Sequence, residues 1–462
     1  MYKTKNLINS IYVDNVKKKQ RQSNTHTCAK TKQSKILLIS VLVFGILFYS
    51  ISNVQAAKYV RAGASGNGSD WNNAYGSLPA TLTRGETYYI ADGSYGSYTF
   101  NTPASGSQYI TIKKATIADH GTGTGWSDGY GDGQAVFNAF TFTTGYYIID
   151  GQTGGGPGNW TSGHGIKIYH TGDNYGVSMS GVNNITIRHV EIQGLGRASY
   201  VGQRAVYGWG GSNITFAYCW MYDMHKGILQ LDSFDNVLLE FNKFGPNGIS
   251  QEENPPIHGF GVHIRNNNTY TMRYNLFEDL SETGSITQVN DAAGERISNL
   301  SIYGNVFWQS GLGNVGTNYV FHLGRSNTTY SNIKIYNNTF LNHTGSAIYY
   351  FIGQTGSGNE IKNNIYYNNR QINAPFASSY NYYNSNTSNP SETGGQIATG
   401  NPFVNTANRD FHLKSATNTG ATLSSPYNID PDGKTRGLDG VWDRGAYEFV
   451  GGGAEDRDYA GN

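Results

Sequence analysis

Between residues 184 and 366 one short pattern keeps returning, and it leaves few architectures open. An Asn-led turn precedes two alternating apolar residues and then Asn-x-Phe. It reads Asn236-Val-Leu-Leu-Glu-Phe-Asn242-Lys-Phe244, recurs around Asn275-Leu-Phe277, and returns as Asn299-Leu-Ser-Ile-Tyr-Gly-Asn305-Val-Phe307 and Asn332-Ile-Lys-Ile-Tyr-Asn-Asn338-Thr-Phe340. A weaker copy ends in Asn364-Ile-Tyr366, and two earlier ones, from Asn184 and Asn213, keep the spacing without the second Asn. Copies lie about 23–33 residues apart, the range of solenoid repeats. Within each, apolar residues alternate with period two, the mark of a strand. A short strand per repeat with no helical segment between describes coils stacked one on the next. The Asn residues would then form a hydrogen-bonded column at one corner, and the Phe rings a stack inside.

Composition agrees. Charged residues are 14% and aromatic residues 13%, with 60 Gly and 35 Tyr. A chain so short of helix formers is a poor candidate for a helical bundle or a doubly wound α/β enzyme. Charge is unevenly placed: nine of the 33 Lys and Arg, but one acid (Asp14), fall in residues 1–35. The apolar run Ile36 to Ile51 and a Val54-Gln55-Ala56 cleavage pattern follow, so residues 1–56 read as an export signal. An uncleaved anchor is the alternative, although the run is short for a membrane span. The rest of the chain is acidic, which excludes a grip on nucleic acid through counterion release. With Cys28 in the signal, Cys219 has no disulfide partner in the mature chain.

These repeats resemble the right-handed parallel β-helix proteins of the pectate-lyase-like superfamily, in their bacterial secreted form. The fold expected is all-β, a right-handed parallel β-helix with an internal Asn ladder and Phe stack. One domain would run from residue 57 to 450: first coils over 57–160, regular coils over 160–370, final coils and cap over 371–450. Residues 451–462 form an unstructured tail in this reading. The segments 119–133, 245–260 and 378–400 read as projecting loops, and 401–449 as the closing cap. The expected location is extracellular or periplasmic. The expected molecule is a monomer acting on a polysaccharide, with no nucleic acid and no stable membrane insertion after signal cleavage.

Each coil carries a second strand ahead of the next turn. These include Gly227-Ile-Leu-Gln230-Leu-Asp232, Gly261-Val-His263-Ile-Arg265, Ile286-Thr-Gln288-Val-Asn290-Asp291, Val320-Phe-His322-Leu-Gly-Arg325 and Ile348-Tyr-Tyr350-Phe. With Leu231, Ile264, Val289, Leu323 and Phe351 inward, alternation turns Gln230, His263, Gln288, His322 and Tyr350 outward in one column. Asp232, Arg265, Asn290 and Gly324 form the next, with Asp291 and Arg325 one step on. Arg204, Trp209, His225 and Lys226 lie nearby, and the 245–260 loop brings Glu252, Glu253 and His258. Arg188, Glu240 and Arg273 belong to a different, solvated face, with a Glu240–Arg273 pair between coils.

Such a strip suits an extended polymer. Eliminative cleavage of a uronate needs a base at C5, a cation for the carboxylate and an acid for the leaving oxygen. His263 or Lys226 would be the base, Arg265 the neutraliser and His322 the acid. Gln230, Gln288, Asn290, Arg325, Arg204, Trp209 and Tyr350 would bind the chain. A glycoside hydrolase using Asp232 and Asp291 is the alternative, as is a solenoid that only binds. Gly163-His164-Gly165 echoes a polygalacturonase triplet without its aspartates. Asp430-Pro-Asp432-Gly and Asp128-Gly-Tyr-Gly-Asp132-Gly resemble fragments of calcium loops and read better as turns. No residue set specifies a metal, and the cofactor stays open, with calcium the candidate ion.

Overall fold

The structure is a computed structural model that describes residues 57–196, 204–247, 259–280, 284–287, 295–311, 319–324, 327–344, 347–384 and 391–451. Parallel pairing starts with Ala57–Val60 against Thr87–Ile90, passes through Ile110–Lys114 and Tyr147–Asp150, and enters Tyr175–Arg188. From there each coil contributes strands to three faces. The long strands Tyr175–Arg188, Arg204–Ala217 and Gly227–Glu240 each bend across the first and second faces. Later coils split these faces, as in Phe260–Arg265 and Asn268–Arg273. The third face holds Val190–Gln193, Trp220–Tyr222, Lys243–Phe244, Leu276–Glu278, Val306–Trp308, Thr339–Leu341, Ile365–Tyr367, Tyr382–Asn384 and Gln396–Ala398.

The repeated Asn residues do two jobs. Asn184, Asn213, Asn236, Asn299 and Asn332 turn the first corner with φ of 60°, 58°, 54°, 53° and 54°, a conformation Asn accepts more readily than most residues. The second set is the buried ladder. Backbone N–H groups of Asn242, Asn275, Asn305, Asn338 and Asn364 donate to the side-chain oxygen of the next member, at 2.9, 2.9, 3.0, 2.9 and 2.8 Å, ending at Asn381. Beside it Phe244, Phe277, Phe307 and Phe340 stack at 4.8, 4.6 and 5.0 Å, and Tyr366 and Tyr383 extend the stack. Cys219 occupies the ladder position before Asn242. Its N–H donates to Asn242 Oδ1 at 2.9 Å, and burial pushes its thiol up to about 12, an inert core group. Asn305→Ala should cost at least about 1–3 kcal/mol, because Asn275 loses its acceptor inside the core. Urea denaturation checks this; an unchanged midpoint would mean the column carries no stability.

Three expectations about the flanks need correction. Residues 119–133 do not project. Trp71 donates to the carbonyl of His120 at 3.0 Å and Trp126 packs on Trp71 at 5.1 Å, so the segment closes the aromatic N-terminal end. Residues 378–400 are not a polar loop either: Tyr382–Asn384 and Gln396–Ala398 are further coil strands. Their polarity misled because the outward residues dominate, while Asn381 and Tyr383 continue the two inner columns.

The third correction is larger. Residues 401–449 reach the last coil, where the Asn418 N–H donates to Gln396 Oε1 at 2.9 Å, but most of the segment folds back along the side of the solenoid. Phe403, Phe411, Leu413, Ala446 and Tyr447 join Leu276, Val306, Trp308, Leu341, Ile365 and Tyr382 in one apolar cluster. Tyr274 Oη donates to the Ile429 carbonyl at 3.0 Å, and Arg444 reaches the Asn381 carbonyl at 3.0 Å. The contact also holds buried charge: Glu278 meets Lys243 at 3.1 Å and Arg409 at 2.7 Å. We call this segment the clasp. Asp430-Pro-Asp432-Gly is a turn within it, Asp430 Oδ1 accepting from the N–H groups of Asp432 and Lys434 at 3.0 and 2.8 Å. Asp128–Tyr130 is likewise a single short turn. Among the described residues no helix is long and apolar enough to cross a membrane, and no group of three or more His, Cys, Asp or Glu is arranged to hold a metal ion.

Candidate active site

The first face sets the register of the strip. Tyr207 pairs with Gln230, Gln230 with His263, His263 with Thr287, Thr287 with His322, and His322 with Tyr350. Four of the five residues expected in the first column are therefore in it. The exception is Gln288, whose expected place belongs to Thr287. Ile286 pairs with Val262 and Phe321 and so faces inward, where the alternation that put Val289 inward had turned it outward. Gln288, Asn290, Asp291, Arg325, Glu252, Glu253 and His258 lie outside the described residues. In the second column Asp232 and Arg265 align, as expected, and Trp209 joins them from the coil before.

Outward direction does not mean exposure here. His263 is 4% exposed and Asp232 1%. His263 Nδ1 sits 2.9 Å from Asp232 Oδ1, and Gln230 Nε2 donates to Asp232 Oδ2 at 2.7 Å. Both Asp232 oxygens are thus engaged. A carboxylate accepts only, so His263 Nδ1 carries a proton toward Asp232. Asp232 is buried because an arch closes over it: the Arg265 guanidinium lies 5.1 Å from the Trp209 ring, one coil to either side. Arg265 is fixed in turn by Glu295, which accepts from its Nε at 2.6 Å. The outward reading of Asp232 as a carboxylate facing substrate does not hold. It orients His263.

Aromatic rings frame this centre. Tyr207 stacks on Tyr175 at 4.4 Å, and burial, then Tyr175 and the Asp232 charge, raise its phenol so that it stays protonated. Toward the other end Tyr350 stacks on Tyr319 at 4.4 Å, with His322 edge-on to both at 5.1 and 5.2 Å. Arg204 lies over Tyr207 and Phe260, each at 5.8 Å. Lys226 is half-buried at the entry to the Gly227 strand, and His225 beside it is buried. His164 is buried away from this face, its pKa pushed down to about 4 by burial. Glu240 and Arg273 form the expected pair on the second face, at 2.6 Å.

Glu295, Tyr207, Thr287 and Tyr319 were not singled out from the sequence. Tyr207 was within reach, since it alternates with Trp209 on one strand. Glu295 follows Arg265 by 30 residues, the length of a coil, so a search at the repeat spacing would have paired them.

Residues 103–307 match the protein family described as right handed β-helix region, and this part of the chain is a right-handed β-helix. The chain is similar to the solved structure of pectate lyase Pel9A, at 16% identity and a TM-score of 0.46, covering 85% of this chain and 96% of that one. It is also similar to a GH136 lacto-N-biosidase from Eubacterium ramulus, at 10% identity and a TM-score of 0.31, covering 77% and 68%. No curated protein matches the sequence.

Proposed function

We propose that this protein is a secreted polysaccharide lyase that cleaves a uronate-containing glycan lying along the first face. The buried Asp232–His263 pair carries the reading, because it holds an imidazole in a fixed orientation on the first face. His263 Nε2 removes the proton at C5 of the bound uronate. Arg265, held by Glu295, meets the sugar carboxylate and stabilises the charge that develops as the proton leaves. His322, two coils on and about 9.6 Å away by strand spacing, protonates the leaving oxygen. Gln230 and Asp232 position the base and do not touch the sugar. A hydrolase built on Asp232 is disfavoured by the loss of both its oxygens to His263 and Gln230.

Incubation with acidic and neutral polysaccharides, following ultraviolet absorbance and reducing ends together, tests the proposal. Unsaturated ends from a uronate-containing polymer are expected. New reducing ends without unsaturation would make it a hydrolase, and neither would make it a binding protein.

Export belongs to the same proposal. Residues 1–56 are removed and the enzyme acts outside the cell membrane. Mass spectrometry of the protein from its source should give a chain starting at or near Ala57; one that keeps Met1 in a membrane fraction would reassign the apolar run as an anchor.

A further inference from the structure

Resting on that reading of the first face, we propose that the substrate is a heteroglycan in which uncharged sugars flank the acidic unit at Arg265, and not an unbroken polyuronate. Two independent observations lead there, one of charge and one of exposed apolar surface.

Every unit of a polyuronate brings a carboxylate into the groove, and each must be desolvated against a matching cation. Among the described residues the strands of this face carry two fixed cations, Arg204 and Arg265, and one carboxylate, Asp232. Arg265 already shares its charge with Glu295 at 2.6 Å. Counting Glu295 with Arg265, these strands have no surplus positive charge. One carboxylate at the centre is matched, and a row of them is not.

The ends of the strip offer something else. Trp209 is 45% exposed and Tyr350 is 40% exposed, in a face whose other described large apolar residues are buried or half-buried. They stand on opposite sides of His263, two coils before it and three after, about 24 Å apart by strand spacing. Neither ring is loose: Arg265 lies against Trp209 and Tyr319 is stacked on Tyr350. A fixed, exposed ring takes the C–H face of a neutral pyranose by burying apolar surface.

The test is titration calorimetry on the full-length mature protein carrying His263→Gln, so that the ligand is not consumed. The probes are an oligogalacturonate and an alternating uronate–hexose oligosaccharide of equal length, each at low and high salt. The alternating probe should bind at least about tenfold more tightly, and salt should weaken it by no more than about threefold, as expected for a contact dominated by neutral surface. Trp209→Ala and Tyr350→Ala should each weaken it about tenfold, with partial recovery in Trp209→Phe. Equal or tighter binding of the oligogalacturonate, falling steeply with salt, overturns the proposal. If the alternating probe binds as described but the wild type releases no unsaturated product, the lyase chemistry is lost and this substrate assignment survives. If neither probe binds, both are lost.

Discussion

His263→Gln should lower turnover by about 10²–10⁴-fold, the range removed with a general base, while melting within a few degrees of the wild type. Glutamine keeps an N–H that can reach Asp232 but has no basic nitrogen, so it separates the chemistry from the packing. His263→Ala is a poorer probe. An outward histidine would be dispensable for the fold, but this one is 4% exposed and is the partner of a carboxylate that is 1% exposed. Removing it should cost about 1–3 kcal/mol as Asp232 loses a donor in a dry site. Arg265→Lys should also impair turnover, because an ammonium cannot hold Glu295 and a sugar carboxylate in one plane. Arg273→Lys on the second face should turn over normally. Wild-type rates for His263→Gln on the true substrate would remove this strip as the active centre.

The largest effect on stability is expected at Glu278, far from that centre. Glu278→Ala strands the Lys243 ammonium, which is 1% exposed, and should destabilise the fold by about 3–5 kcal/mol. Burial alone would raise the Glu278 pKa, but hydrogen bonds and charges from Arg409 and Lys243 outweigh it and hold the carboxyl below its usual range. A depressed folded-state pKa gives stability that is present above the unfolded value and is lost as pH falls through the folded one. Wild-type stability should therefore decline on acidification below about pH 4.5, and Glu278→Gln should flatten that decline. Guanidinium unfolding across this range provides the measurement, and an identical pH slope in the variant would remove Glu278 from the account.

The repeat was legible because stacking imposes one rule on every coil. Asn at a left-handed corner, Asn in the ladder and Phe inside recur at each step, so the sequence repeats wherever the structure does. The slip at Thr287 has a local cause. Ile286 and Val289 are three apart, and on one strand they cannot both face inward; alternation alone could not choose between them. Covering Asp232 was beyond such a reading, because the arch is made by side chains on coils either side of it. The clasp was least legible of all. Its contacts, such as Tyr274 to Ile429, join residues 155 apart and follow no period. Apolar outward residues at Leu276, Val306, Leu341 and Ile365 were the available sign that something must lie on that face.

That sideways attachment also bears on how the protein is finished as it is made. A stack of coils can in principle form from its first turn onward, each adding to the last. Here the outer flank of the later turns stays bare until the last stretch of chain arrives and is laid over it. A product ending before Phe403 would thus not be a shorter but sound enzyme; it would leave Leu276, Val306, Leu341 and Ile365 open as a sticky strip. Residues 401–449 thus work as a latch on that flank, and a chain interrupted before them exposes apolar surface prone to aggregation.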